Sequence, residues 1–164
     1  MSSKIAPCLW FDTQAEEAAR YYTGIFRNAK ITAISYYPEV GQEIHGKPAG
    51  SVLTVAFELN GQSFTALNGG GTQFSFSPAI SLQVECEDQA EIDYYWEKLS
   101  AGGDPTAQQC GWVADQFGLS WQIVPQILPA LLTDPDAAKS TRVFQAIMGM
   151  KKLDIAALQR AFAG

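Results

Sequence analysis

Apolar and polar positions along this chain follow two periods, and the switch from one to the other happens twice in the same order. Residues 5–11 alternate with the two-residue period of a strand, Pro7, Leu9 and Phe11 facing one side and Ala6, Cys8, Trp10 and Asp12 the other. The period then lengthens. Ala15, Ala18, Ala19, Tyr22, Ile25 and Phe26 fall at helical spacing and make one apolar stripe. Thr13 and Glu16 predict a capping box at the start of that helix. Residues 31–37 read as a second strand and 38–50 as an open loop. Residues 51–59 and 62–67 read as two further strands, joined by Asn60-Gly61, a pair suited to a hairpin turn that needs positive φ twice.

The second half repeats the first. Laying Tyr21-Tyr22 on Tyr94-Tyr95 places Leu9 on Leu82, Phe11 on Val84 and Phe26 on Leu99. Residues 79–86 predict a strand with Ile80, Leu82 and Val84 on one face and Ala79, Ser81, Gln83 and Glu85 on the other. Asp88 and Glu91 form a second capping pair, Ile92, Tyr95, Trp96 and Leu99 line the helix, and Gly102-Gly103 stops it. Strands are expected over 107–110, 111–114 and 119–124. The pattern predicts an α+β protein, two β-α-β-β-β modules whose sheets curve around a shared cleft, followed by C-terminal helices. The modules span 1–68 and 79–125, with a linker at 69–78 and a helical tail at 126–164, all in one structural domain. Asn68-Gly69-Gly70-Gly71 reads as the joint and not as a phosphate cradle, because no helix pattern starts behind it.

The tail predicts helices over 126–132, over 135–150 with Asp134 as cap, and over 155–162 capped by Asp154. Phe144, Ile147, Met148, Leu158 and Phe162 give it an apolar face. That face has two possible partners, the same chain or a second subunit.

Composition narrows the function classes. The 164 residues are 47% hydrophobic and 17% charged, as in a soluble globular protein. A net charge of −6 and the lack of any basic run argue against nucleic acid. No stretch has the length or apolarity of a membrane span or a signal peptide. Cys8, Cys86 and Cys110 match no zinc or disulfide spacing, which suits a cytoplasmic protein. All three read as small buried hydrophobes. The single histidine, His45, sits in loop composition and reads as a solvated side chain. Glu16, Glu17, Glu85, Glu87, Asp88 and Glu91 cluster near helix starts, where the dipole favours them.

Several segments carry a resemblance: Pro7-Cys-Leu-Trp-Phe-Asp12, Ala15-Glu-Glu-Ala18 leading to Tyr21-Tyr22, Gln108-Gln-Cys-Gly-Trp112, and Asp115-Gln-Phe-Gly-Leu-Ser-Trp-Gln-Ile-Val-Pro125. Over residues 4–150 the chain resembles the vicinal-oxygen-chelate superfamily of glyoxalase, bleomycin-resistance and dioxygenase proteins. Within it the chain is most similar to the PhnB-like branch, labelled 3-demethylubiquinone-9 3-methyltransferase-like. The resemblance implies four metal-ligand positions, two at the first strands and two in the last strand of each copy. Here they fall on Ala6, Ala79, Thr65 and Gln122. Two methyls, a hydroxyl and an amide do not hold a divalent ion, so no metal and no cofactor is expected. No glycine-rich strand-turn-helix heads a parallel sheet, so methyl transfer is not expected either.

The expected site is a neutral pocket for an unknown small molecule, lined by Cys8, Trp10, Thr65, Leu67, Ser81, Gln83, Trp112 and Gln122, with Tyr36 at its rim. The expected function is metal-free binding of a small aromatic or amphipathic molecule. The alternative is a metal-dependent lyase, isomerase or oxygenase with relocated ligands such as His45 and Glu85. The resemblance also implies a homodimer that would cover open sheet edges.

Overall fold

The computed structural model describes residues 4–71 and 73–164. The chain divides into two compact units, the first ending at Ser75 and the second running Phe76–Gly164.

The first unit contains β1 (Cys8–Phe11), α1 (Ala15–Ile25), β2 (Ala29–Tyr36), the one-turn α2 (Gln42–His45), β3 (Val52–Leu59) and β4 (Gln62–Asn68). The sheet order is β1-β4-β3-β2. Only the β1–β4 pair is parallel, because α1 and two further strands intervene between them. Helix α1 lays its alanine-rich stripe on β3 and β4. There Tyr22 stacks on Phe57 at 6.1 Å and Phe57 on Phe64 at 5.2 Å, with Leu9, Phe11, Val55 and Ala66 closing the core. The β3–β4 turn is as expected, with Asn60 at φ 48° and Gly61 at φ 82°.

Three local expectations need correction here. Gln14 stands at the N-cap position of α1 without a side-chain capping bond, so Thr13 lies one position too early and Glu16 one too early for its half of the box. Glu16 instead pairs with Arg20 at 2.7 Å. The Ala15 amide donates to Oδ1 of Asn68 at 2.8 Å. The loop over 38–50 holds a helical turn, made possible because Gly41 and Gly46 flank it at φ 82° and 68°. The joint at Asn68–Gly71 is tied into the first unit. Asn68 is buried, and Gly69 lies so close to the Trp10 ring that a Cβ there would sit 2.1 Å from Cζ2.

The second unit contains β5 (Leu82–Cys86), α3 (Gln89–Ser100), a 3-10 turn (Pro105–Ala107), β6 (Trp112–Ala114), β7 (Ser120–Pro125), α4 (Leu128–Leu132), α5 (Ala137–Met148) and α6 (Ile155–Ala163). Its sheet runs β5-β7-β6, with β5 and β7 parallel. Asp88 caps α3 through the Glu91 amide, and Glu91 accepts from the amide of Glu87.

No strand forms over 107–110. Pro105 opens a 3-10 turn, and Cys110 and Gly111 both take positive φ, 54° and 86°, which ends any extended run. Gln109 and Trp112 exchange backbone hydrogen bonds across them, so these four residues form a tight primed turn at the mouth of β6. The turn is closed from outside. The Cys110 amide donates to the Met150 carbonyl at 2.8 Å and the Gly111 amide to the Lys151 carbonyl at 2.7 Å.

The tail therefore packs on its own chain. Val143, Ile147, Leu153 and Leu158 form a buried cluster, with Cys110, Val124 and Phe162 packed against it. Gln89 of α3 donates to the Leu153 carbonyl and accepts from the Ile155 amide. Asp154 caps α6 as expected, whereas α5 is capped by Asp136, and Asp134 instead accepts from the Asp136 amide. Of the apolar face read from the tail, Ile147 and Leu158 are consumed inside, and Phe144 and Met148 stay exposed at 55% and 48%. Among the described residues, no helix is long and apolar enough to cross a membrane.

Candidate functional site

Strand alternation decides which side chains each sheet presents away from its helix. In the first unit Leu9 and Phe11 point into the core, which leaves Cys8 and Trp10 on the opposite face. The parallel register sets Cys8 beside Thr65 and Trp10 beside Leu67, and the antiparallel register adds Thr54 and Ala56 behind them. Cys8, Trp10, Thr65 and Leu67 thus share one face. Cys8 is exposed and the other three are half-buried. Burial pushes the Cys8 thiol above its ordinary value, so it is a weak nucleophile. Its exposure also corrects the expectation that all three cysteines are buried.

The Trp10 ring is fixed. Its indole N–H donates to the Gly70 carbonyl at 3.2 Å, and Phe74 meets it edge to face at 5.3 Å. Gly69, Gly70 and Phe74 are thus neighbours of this face that the sequence reading placed only in a linker. The glycine run was the available signal, and its close-approach meaning shows only once Trp10 is placed against it.

In the second unit the Gln83–Gln122 and Trp112–Gln122 pairings bring three strands' polar positions to one face. Gln122 donates through Nε2 to Oγ of Ser81 at 2.8 Å and accepts at Oε1 from Nε2 of Gln83 at 3.3 Å. Trp112 is half-buried beside it. All four residues named for this unit, Ser81, Gln83, Trp112 and Gln122, come together.

His45 is half-buried, with part of its ring still open to solvent. Its ring packs on Tyr37 at 4.5 Å, Nδ1 accepts from the Lys47 amide at 3.0 Å, and Nε2 lies 3.3 Å from the Val40 carbonyl. Both ring nitrogens serve the loop's own shape, so neither is free for a metal. Lys47 continues that loop to β1, donating to the Asp12 carbonyl and to Oδ1, both at 2.9 Å. A cleft of about 220 Å³ lies beside this ion pair, lined by Asp12, Thr13, Glu16, Lys47, Ser51 and Asn68 among others. Nothing in the spacing of residues 12 and 47 announced it. Tyr36, proposed for a rim, is exposed at the end of β2.

Three further titratable groups serve the fold. Cys86 is fully buried, and burial together with the carboxylates of Glu91 and Asp88 pushes its thiol up to about 12. Hydrogen bonds from Lys152 and Gln89 hold the Asp93 carboxyl below its ordinary range. Asp115 is buried and accepts from the Trp121 indole and the Phe117 and Leu119 amides.

Metal-using relatives need imidazole, carboxylate or thiolate donors. At the positions implied for them this chain has Ala6, Thr65, Ala79 and Gln122, a donor set that does not fit a divalent ion. Among the described residues there is also no cluster of three or more His, Cys, Asp or Glu that could hold one.

A small sheet with a parallel first–last strand pair and one helix recurs in each unit, and helices follow the second sheet, so this is an α+β protein. The chain belongs to the 3-demethylubiquinone-9 3-methyltransferase family, whose model matches residues 3–124. A PhnB protein from Bacillus cereus that bears the same description is 36% identical, covering 75% of this chain and 99% of that one, with a TM-score of 0.63. Protein PA1353 from Pseudomonas aeruginosa shares the fold at 18% identity, covering 76% of this chain and 98% of its own, with a TM-score of 0.56. The fosfomycin resistance protein FosX from Listeria monocytogenes aligns over 76% of this chain and 93% of its own at 14% identity, TM-score 0.49. No protein of curated function matches the chain.

Proposed function

We propose that this protein binds a small, uncharged, aromatic or amphipathic molecule without a metal ion. One observation carries the reading. The eight side chains named on the two sheet faces (Cys8, Trp10, Thr65 and Leu67; Ser81, Gln83, Trp112 and Gln122) include an aromatic ring in each unit and are themselves uncharged, with Glu85 on the same side of β5 and Asp12 just beyond β1. Each face by itself favours dispersion and neutral hydrogen bonds over ion pairing. The methyl transfer in the family's description is not part of the proposal. The run Gly69–Gly71 leads toward Phe74 and not into a helix, so it lacks the phosphate-cradling geometry of a nucleotide cofactor site.

Two measurements test the reading together. Elemental analysis of protein purified without chelators should find no stoichiometric zinc, iron, nickel or manganese, and finding one would overturn the proposal. Neutral aromatic compounds should quench tryptophan fluorescence saturably, and the quench should shrink in Trp10→Phe and Trp112→Phe.

A reducing, cytoplasmic location fits three free cysteines, one of them exposed. Self-association as a homodimer fits the exposed Phe144 and Met148, one turn apart on α5. Light scattering at micromolar concentration should give a mass near twice 17.8 kDa, and the value for one chain would rule the dimer out.

A further inference from the structure

Gln122 is a tethered amide, and tethering changes what it can recognise. A carboxamide has two N–H donors and two acceptor lone pairs. One donor is spent on Oγ of Ser81 at 2.8 Å and one lone pair on Nε2 of Gln83 at 3.3 Å. Because each end of the amide is held, its plane is fixed, and one N–H and one lone pair remain. Gln122 is half-buried, so those two groups face a partly dehydrated surface where an unmet hydrogen bond is costly. Directly across the β6–β7 pair stands Trp112, half-buried, whose indole N–H donates to no group among the described residues. The comparable ring of the first unit, Trp10, has its N–H committed to Gly70. The second unit therefore offers an oriented donor–acceptor pair beside an aromatic wall with a spare donor.

We infer that the ligand of this face is a planar ring carrying a lactam or similar cyclic amide, whose N–H and C=O match the free lone pair and N–H of Gln122 while the ring packs on Trp112. A purely hydrocarbon ring would leave the Gln122 groups desolvated and unpaired. A carboxylate would meet no cation on this face. The inference rests on the metal-free binding reading and narrows it to a chemical class.

The probe is carbostyril, a benzo-fused lactam, compared with its N-methyl derivative, which keeps the ring and carbonyl but lacks the N–H. Calorimetry on the full chain should show saturable carbostyril binding and an N-methyl derivative weaker by about tenfold or more, the usual cost of one unmet buried hydrogen bond. The side-chain amide resonances of Gln122 should shift with carbostyril. Gln122→Met, of similar volume, should abolish the preference. Ser81→Ala, which frees the amide without removing it, should narrow the preference in a chain that still folds. Equal affinity for the two compounds, or a preference that survives Gln122→Met, overturns the inference and leaves the binding reading intact. Failure of both compounds to bind also overturns it. The reading beneath is tested separately, by the metal analysis and the fluorescence quenching above.

Discussion

The side chain of Asn68, at the end of β4, accepts the backbone N–H of Ala15 at the start of α1, 53 residues earlier, at 2.8 Å. Its Nδ2 donates to the Val52 carbonyl at 3.0 Å, and its own carbonyl accepts from the Tyr37 hydroxyl at 2.6 Å. One buried asparagine, through its side-chain amide and its backbone carbonyl, thus ties the helix, β3 and the segment after β2 to the last strand of the first unit.

Asn68→Ala should therefore cost more than a surface cap. It removes an N-cap acceptor and leaves the Val52 carbonyl without its donor, together worth about 2–4 kcal/mol. Asn68→Asp keeps the acceptor and loses the donor, so it should fall between Ala and wild type. Urea unfolding checks the order, and equal stability for Asn68→Ala and wild type would refute the role.

Gly69→Ala should destabilise through overpacking, since its Cβ would meet three atoms of the Trp10 ring at 2.1–2.4 Å. The expected cost is about 1–3 kcal/mol, with a shift in tryptophan emission as the ring is displaced. Combining it with Trp10→Leu should recover part of the loss, because the smaller side chain vacates the space. Additive losses in the double variant would contradict the contact.

Alkaline pH should expose the buried thiol. Cys86 rises from an ordinary 9.0 to about 12 in the fold. The unfolded chain then gives up its proton first, and stability falls as pH rises. The contribution is complete below pH 9 and is lost across the interval toward 12, with a slope of at most about 1.4 kcal/mol per pH unit from this one group. Cys86→Ala should lack that component, so the stability difference between wild type and variant should narrow above pH 9. A difference that stays constant would sink the assignment. Thiol labelling at neutral pH should modify Cys8 slowly in the folded protein, through its exposure, and Cys86 only on unfolding.

Leu153 is fully buried at the centre of the tail cluster. Leu153→Ala should cost about 2–5 kcal/mol, the range for a leucine-sized cavity. Because the tail packs on the second unit's own turn, hydrogen exchange should quicken there, at the Cys110 and Gly111 amides. Unchanged protection at those two amides would argue that the tail docks elsewhere.

Much of this architecture was legible from pattern alone. The two-face alternation of residues 5–11 placed Cys8 and Trp10 opposite Leu9 and Phe11, and the repeat placed Ser81 and Gln83 opposite Leu82 and Val84. Asn60-Gly61 announced its hairpin because both residues tolerate positive φ. The Cys110-Gly111 turn did not, since cysteine seldom adopts that conformation, and what holds it there is a pair of carbonyls some forty residues further on. The Asn68 cap was likewise invisible. Capping patterns are local in sequence, and this acceptor arrives from the far end of the unit. The site lay between these cases. Which side chains share a face followed from alternation, whereas the tethering of Gln122 depended on strand register.

The clasp of Met150 and Lys151 on the Cys110-Gly111 turn has a consequence for the order in which the molecule is made. The first unit has its closing residue, Asn68, as soon as β4 leaves the ribosome, and can settle while the rest is still being translated. The second sheet has all its strands by Pro125 but must wait for its seal, which arrives only with the segment around Leu153 that follows α5. For that interval the half-finished partner of a completed module carries an open turn and an uncovered apolar flank. A premature stop in the final helices would leave that state permanent, a nascent protein with one finished half and one kept waiting.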